Sequence, residues 1–146
     1  MIDLSNRITV VPIDFSDACS AALDAPLAEA PADKVHLVHV IYSTVYAAGG
    51  EVIVSSIANE EQIEKTREQF AAFLKKRGLP DFSTEVLVGD PGKEIVEYAD
   101  RIAADLIVVP SHGFHGWRRL MLGSVTERIV RLAHCPVLVL RRADAQ

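Results

Sequence analysis

Five short apolar segments recur along the chain and alternate with segments of helical character. The apolar segments are residues 7–13, 35–41, 84–88, 106–109 and 136–141. Most of them are too apolar to leave one face in water, which is typical of strands buried on both faces of a parallel sheet. Strands that alternate with helices in this way predict an α/β fold with helices on both faces of a mainly parallel sheet.

Local signals predict how the first helix begins and where it is interrupted. Ser16 is the predicted N-cap of an alanine-rich helix over residues 18–30. Pro26 lies within that helix and has no N–H to donate to the preceding turn. We therefore expect a kink or an early break near Asp24.

The middle of the chain contains the longest amphipathic stretch, residues 59–77, which predicts a helix that stops at Gly78. Asp90 and Pro91 predict the N-cap and the first residue of the next helix. Residues 42–57 have no clear period, and we expect a long irregular connection there with room for a short helical turn.

Composition is that of an ordinary globular protein and argues against several partners. A length of 146 residues fits one domain over residues 1–146. The 15 basic and 20 acidic side chains give a formal charge of −5, which argues against a general affinity for nucleic acid. No apolar run approaches the roughly 20 residues that cross a bilayer, and no signal-peptide core precedes the first strand. We therefore expect a cytoplasmic protein in which Cys19 and Cys135 are reduced.

A glycine-containing loop follows the fourth apolar segment directly and leads into a helix. Glycines let the backbone approach an anion, and the first N–H groups of a helix have no partners within it. Ligands of such sheets lie outside the carboxyl ends of the strands, here after Ile13, after Ile41 and after Val109. The stretch from Pro110 to Val125 therefore predicts nucleotide binding.

Several motifs along the chain point to one known family. VPIDFSD follows the first strand, VHLVHVI and CPVLVLR form the second and last strands, and GDPGKEIVEYA begins the third helix. With Gly113, the nine residues FHGWRRLML, and then Gly123-Ser124, these segments resemble the universal stress protein family along almost the whole chain. The family's ATP-binding members carry a glycine, two residues, a second glycine, nine residues, and then glycine with serine or threonine. Here Pro110 replaces the first glycine, and because it has no N–H and a fixed φ we expect weaker or altered nucleotide binding.

The resemblance also implies a fold and a set of site residues. The implied fold is a three-layer sandwich around a five-stranded parallel sheet of order 3-2-1-4-5, the Rossmann-like fold of the adenine nucleotide alpha hydrolases. Asp14 would hydrogen-bond the adenine edge, and backbone groups near Val40 and Ile41 would complete the base pocket. The glycines and the first residues of the following helix would hold ribose and phosphates. The complete set of candidate cofactor-binding residues is Pro12, Ile13, Asp14, Val40, Ile41, Val109, Pro110, Ser111, Gly113, Gly123, Ser124 and Val125.

By the same resemblance the protein would be a homodimer paired through the last strand, from Val137 to Arg141. It would be a regulatory protein that binds ATP, with at most weak ATPase activity and with regulatory protein partners that the sequence does not identify. Mg²⁺ or Mn²⁺ would accompany ATP through its phosphates and water, because the loop contains no carboxylate cluster. Two other functions stay open: a dimeric stress-response interaction protein that binds no nucleotide, and a binder of an AMP-type ligand whose ribose site Pro110 reshapes.

Some of these residues also have structural interpretations. Asp14 could accept hydrogen bonds from its own turn or from the helix start at Ser16. Ser124 and Glu127 have the spacing of a capping box, which could act alone or together with a phosphate contact. His39 is predicted to be a core histidine rather than a ligand.

The loop itself contains further polar residues. Trp117, Arg118 and Arg119 could close over a phosphate tail or form a solvated basic loop. His112 and His115 have no third metal ligand nearby, so we expect no metal site there. The chain has no GxSxG elbow, and we do not expect a Ser-His hydrolase.

Overall fold

The computed structural model describes residues 3–43, 45–48, 51–54, 58–111 and 123–141. Seven strands and four helices lie within these residues. In chain order they are β1 (Thr9–Pro12), α1 (Asp17–Ala28), β2 (Val35–Tyr42), β3 (Val45–Ala48), β4 (Glu51–Val54), α2 (Glu60–Arg77), β5 (Ser83–Gly89), α3 (Pro91–Arg101), β6 (Leu106–Pro110), α4 (Ser124–Leu132) and β7 (Val137–Leu140).

Five of these strands form one parallel sheet in the order β5-β2-β1-β6-β7. Numbered within that sheet alone, the order is 3-2-1-4-5, so the topology implied by the resemblance is confirmed. Residues 84–88 alternate between polar and apolar types more than the other strands, which predicts an edge strand, and β5 is one of the two edge strands. β7 forms the other edge.

Helices cover both faces of the parallel sheet, and the three-layer α/β architecture is confirmed. Each face buries its own apolar cluster. On one face, α1 and α2 contribute Leu23, Leu27, Phe70 and Leu74, which pack against Val11, Val35 and Leu37. On the other face, α3 and α4 contribute Ile95, Ala99 and Ile129, which pack against Val10, Val38 and Ile107.

The predicted helix signals at Ser16, Gly78 and Asp90 are confirmed. The Ser16 side chain accepts a hydrogen bond from the Cys19 N–H, and the Asp90 side chain accepts one from the Lys93 N–H. Gly78 ends α2 in the left-handed conformation, with φ of 61°. These caps satisfy N–H and C=O groups that the helices leave without internal partners.

The predicted break in α1 is wrong. The helix continues through Pro26 to Ala28. Pro26 lies in the last turn, where its missing N–H removes a single hydrogen bond. The same turn buries Leu23 and Leu27, which are 0% and 1% exposed. Burial of these side chains outweighs the loss of one backbone hydrogen bond.

The prediction of an irregular connection over residues 42–57 is also wrong. β3 and β4 pair there as an antiparallel two-stranded sheet, with Val45 opposite Val54 and Ala48 opposite Glu51. In the sequence the two strands are separated only by Gly49-Gly50. A glycine pair between two β-branched segments is a hairpin signal that outweighs the weak alternation of its flanks.

The spacing of Val125, Ile129 and Leu132 predicts that all three lie on the buried face of α4, and this prediction is wrong in part. Ile129 faces the core and is 1% exposed, as expected, but Val125 is 38% exposed and Leu132 is 39% exposed. Thr126 shares the buried face with Ile129 instead. The reason is a hydrogen bond that the Thr126 hydroxyl donates to the Pro110 carbonyl, which turns the first turn of the helix towards β6.

Two expectations about the protein's chemistry can be compared with the described residues. Both Cys19 and Cys135 are free thiols. Over the part of the chain that the structure describes, no helix is both long enough and apolar enough to cross a membrane.

Candidate functional site

A cavity of about 360 Å³ opens at the carboxyl ends of β1, β2 and β6, on the side of the sheet where α3 and α4 begin. Its volume is in the range of sites that hold small ligands. Many of the predicted site residues line it: Pro12, Ile13, Asp14, Val40, Val109, Pro110, Gly123, Ser124 and Val125. The structure therefore brings together segments that lie about a hundred residues apart in the sequence.

Of the described candidate residues, Ile41 and Ser111 are not part of this wall. Ile41 follows Val40 on β2, so its side chain points to the opposite face of the sheet. Ser111 donates its N–H to the Leu140 carbonyl at 2.8 Å and accepts from the Gly123 N–H at 3.1 Å, so it joins the end of β6 to β7 and to α4. Gly113 lies outside the described residues, as do the loop histidines and arginines.

The cavity wall also includes residues that sequence reasoning did not assign to the site. They are Cys19, Val38, His39, Pro91, Ile95, Thr126 and Ile129. Helical periodicity predicts that Ile95 and Ile129 point inward, and Val38 lies in the apolar segment 35–41, which is predicted to be a buried strand. The fact that α3 begins beside the cavity follows only from the position of β5 next to β2, which spacing alone does not reveal.

Asp14 accepts hydrogen bonds within its own turn, as its structural interpretation predicts. Its Oδ1 accepts from the Ser16 N–H at 2.8 Å and from the Ser16 hydroxyl at 2.6 Å. Both bonds use the same oxygen, and the buried Cys19 thiol also interacts with the Asp14 side chain. The turn contact therefore fixes the carboxyl group at the cavity wall.

The turn that follows Asp14 has an unusual backbone. Phe15 has φ of 61°, a conformation that is uncommon for a residue with a side chain. Its ring packs at 5.0 Å from the Phe70 ring and at 4.9 Å from the His39 ring. This packing stabilises a left-handed residue that otherwise costs about 1 to 2 kcal/mol, and it holds the Asp14 turn in place.

His39 connects β2 to the same turn. Its Nδ1 lies 2.6 Å from the Ile13 carbonyl oxygen. A carbonyl oxygen only accepts hydrogen bonds, so Nδ1 carries the proton and donates it. The interpretation of His39 as a core histidine fits this bond, because the ring links two strand ends at the base of the cavity.

The start of α4 differs from the predicted capping box. Gly123 is the N-cap, Ser124 is already the first helical residue, and no side chain caps the helix. The Glu127 side chain lies 2.7 Å from Arg131 on the outer surface instead of reaching back to the helix start. No described residue accepts from the N–H groups of the first three helical residues, which line the cavity. The positive end of the α4 dipole is therefore directed at this space.

Pro110 ends β6 at the centre of this wall. It has no N–H, and its carbonyl accepts from the Thr126 hydroxyl at 3.0 Å. Pro110 is one of the residues that line the cavity. It stands where the family pattern has a glycine.

Cys19 contributes an uncharged thiol to the wall. The residue is 1% exposed, and burial raises the pKa of its thiol to about 12. The thiol is therefore protonated at neutral pH. Its role in the cavity is that of a small apolar side chain.

An ion pair joins the start of α3 to α4. Asp90 caps that helix through Oδ1, and its Oδ2 lies 3.4 Å from Arg128 Nη1 on α4. Within the described residues, no three His, Cys, Asp or Glu side chains come together as they do around a metal ion.

Known proteins share the sequence pattern of this chain. The model of the universal stress protein family matches residues 5–141. A universal stress protein of Methanocaldococcus jannaschii is 34% identical over 91% of this chain and 81% of its own length. Universal stress protein YxiE of Bacillus subtilis is 32% identical over 90% of this chain and 97% of its own length.

Solved structures share the fold. The hypothetical protein MJ0577 of Methanocaldococcus jannaschii superposes with a TM-score of 0.66 at 25% identity, over 95% of this chain and 99% of its own. A universal stress protein in complex with cAMP has a TM-score of 0.62 at 24% identity, over 95% and 100% of the two chains. A universal stress protein from Archaeoglobus fulgidus in complex with dAMP has a TM-score of 0.57 at 24% identity, over 96% and 99%. From its matched sequence, its relatives and its fold, the chain belongs to the universal stress protein family.

Proposed function

We propose that the protein binds an adenine nucleotide, ATP, in the cavity at the carboxyl ends of β1, β2 and β6. The observation that supports this most is the start of α4, whose first N–H groups line the cavity without a side-chain cap. Such a helix start attracts phosphate. Two solved members of the family are complexes with cAMP and with dAMP, which supports an adenine ligand.

The base would lie at the β1 and β2 side of the cavity. Asp14 presents its carboxylate there, with Oδ1 held by Ser16 and Oδ2 directed to an adenine donor such as the exocyclic amine. Val40 lies beside it at the end of β2. Backbone N–H and C=O groups near Val40 and Ile41 would complete the recognition of the base edge.

The phosphates would lie at the α4 side. Gly123, Ser124 and Val125 line the cavity there, and Gly113 belongs to the loop between β6 and α4. The Ser124 hydroxyl is not used as a cap, so it can donate to a phosphate oxygen. Mg²⁺ or Mn²⁺ would be held by the phosphates and water, because the described wall offers no carboxylate cluster.

The described cavity wall contains no pair of groups suited to nucleophilic or general-base attack on a phosphate. Cys19 is held protonated by burial, His39 Nδ1 donates to the Ile13 carbonyl, and Asp14 is assigned to the adenine edge. We therefore infer a regulatory nucleotide-binding protein with at most weak ATPase activity. Its regulatory protein partners would respond to the bound nucleotide.

The proposed assembly is a cytoplasmic homodimer of one-domain chains, paired through the last strand from Val137 to Arg141. β7 is an edge strand whose residues are half-buried. A second cavity of about 610 Å³ lies beside it, with Val108, Leu138 and Pro26 in its wall. A second copy across this edge would cover apolar surface that α1 leaves open and would pair the free edge of the strand.

An AMP-type ligand is the second candidate. Pro110 supports it, because the proline ring takes the place of a glycine beside the expected ribose position and has no N–H to offer. A ligand with a different sugar position or a shorter phosphate chain would tolerate the ring better. The dAMP complex of the Archaeoglobus fulgidus relative is an example of a monophosphate ligand in this family.

The test uses the start of α4. Purified protein is denatured, and the released small molecules are identified by mass spectrometry; we expect an adenine nucleotide. Ser124→Glu places a carboxylate at the positive end of the helix, which favours folding but repels phosphate. We expect this variant to retain its fold and to release no nucleotide.

Ser124→Ala is the matched control, because it removes only the hydroxyl and should lower occupancy modestly. Equal nucleotide content in wild type and in Ser124→Glu would contradict a phosphate at this helix start. Absence of nucleotide from wild-type protein that also fails to take up added ATP would favour an interaction protein that binds none.

A further inference from the structure

Arg128 lies on α4, the helix whose first residues line the cavity, and contacts the neighbouring helix α3. It follows Ser124 by one helical turn, and helix side chains point towards the N-terminus. Its stem packs on Gly92, where an added Cβ would lie 2.8 Å from Arg128 Cγ and Cδ. Its Nη1 lies 3.4 Å from Asp90 Oδ2. The guanidinium is therefore located beside the starts of both α3 and α4.

The contact with Asp90 leaves most of the guanidinium unused. The pair is joined by one long N···O distance, and the two side chains are 49% and 37% exposed. Asp90 already has a structural task, because its Oδ1 accepts from the Lys93 N–H at the start of α3. A guanidinium binds most strongly when two of its N–H groups meet two oxygens of one anion, as a phosphate group offers.

We propose that Arg128 makes the site selective for the number of phosphates on the nucleotide. This inference rests on the proposed function. The N–H groups at the start of α4 would hold the phosphate nearest the ribose. A longer phosphate chain would extend past that turn towards α3. There the Arg128 guanidinium would leave Asp90 and bind the outer phosphates instead. A monophosphate ends before it reaches the guanidinium.

The experiment compares the affinity of AMP, ADP and ATP for wild type and for Arg128→Gln by calorimetry. Wild-type affinity should rise from AMP to ATP. Loss of a charged hydrogen-bonding partner in a half-exposed position should weaken ATP binding about tenfold. AMP binding should stay within about twofold, because AMP makes no contact with this side chain.

Two substitutions separate this role from simple helix packing. Asp90→Asn removes the competing carboxylate charge but remains a good N-cap, so it should tighten ATP binding and leave AMP unchanged. Arg128→Lys keeps the charge and loses the planar fork, so it should recover part of the ATP affinity. Arg131→Gln is the control, because Arg131 lies one turn further along α4 and pairs with Glu127 at 2.7 Å on the surface.

The outcomes are distinct. An equal loss of AMP and ATP affinity in Arg128→Gln, together with lower thermal stability, would mean that Arg128 only holds α3 to α4, and the inference would be wrong. Equal affinity of wild type for AMP and ATP would overturn it as well. If wild type binds none of the three nucleotides, the proposed function itself fails.

Discussion

Pro110 is the residue at which this chain departs most from its family's glycine pattern. Pro110 lines the cavity, its nitrogen has no proton, and its carbonyl accepts from the Thr126 hydroxyl. A proline at the end of β6 is tolerated by the sheet because the ladder is ending there. We therefore expect the proline to change the affinity for the ligand rather than the stability of the fold.

Replacement of Pro110 by glycine tests this directly. Pro110→Gly restores an N–H and removes the ring, so we expect ATP to bind about threefold to tenfold more tightly, the effect of roughly one added hydrogen bond. The measurement is calorimetric titration, with circular dichroism to compare the folds. An unchanged affinity in a folded variant would show that the ligand does not approach Pro110.

At the residue scale, the sequence predicted which residues meet but not all of their hydrogen bonds. Asp14, Val109 and Ser124 meet at one cavity because parallel strands end at the same edge of the sheet. Whether Ser124 is a cap or the first helical residue depends on the backbone of Gly123, with φ of −59° and ψ of 154°. Residue types alone do not determine such a difference of one position.

At the scale of secondary-structure elements, the sequence predicted best where a capping residue and an amphipathic face agree. α2 is the clearest case, since Asn59 and Gln62 form a capping box and Gly78 ends the helix. Prediction from the sequence failed in α1, where the single residue Pro26 was given too much weight. It also failed in the β3–β4 hairpin, whose pairing depends on contacts between two strands rather than on either strand alone.

Gly78 gives a prediction at this scale. An added Cβ at Gly78 would have no heavy atom within 4 Å, so Gly78→Ala introduces no clash. The substitution should still lower the free energy of unfolding by about 1 kcal/mol, because alanine disfavours φ of 61°. Urea denaturation measures the change, and Gly78→Asn should lose less. A stability equal to wild type would mean that α2 can end in another conformation.

At the scale of the whole molecule, the two sheet edges differ in what they expose. The Pro136 and Leu140 carbonyls accept from β6, so the alternate residues of β7, Val137 and Val139, direct their backbone groups outward. At the other edge the Gly89 carbonyl accepts from the Ser43 N–H of the neighbouring chain segment. The alternate residues of β5, Val86 and Val88, therefore direct their N–H and C=O groups away from the sheet. Within the described residues no further strand pairs with either outer edge, and the proposed dimer uses only β7.

Proline substitutions at matched positions distinguish the two edges. Val139→Pro removes an outward N–H from β7 without removing a bond to β6, and it should convert the dimer to a monomer. Val86→Pro makes the equivalent change on β5 and should leave the dimer intact. Light scattering after size-exclusion chromatography gives the masses, and circular dichroism verifies folding. A folded Val139→Pro dimer would place the interface elsewhere.

The central claim is that this member of the universal stress protein family binds ATP where β1, β2 and β6 end. Calorimetric titration of the nucleotide-free protein with ATP and Mg²⁺ tests it most directly. We predict saturable binding of about one nucleotide per chain with a Kd below about 1 mM, and loss of that binding in Ser124→Glu. Absence of heat at millimolar ATP in folded wild-type protein, or equal binding by Ser124→Glu, would contradict it.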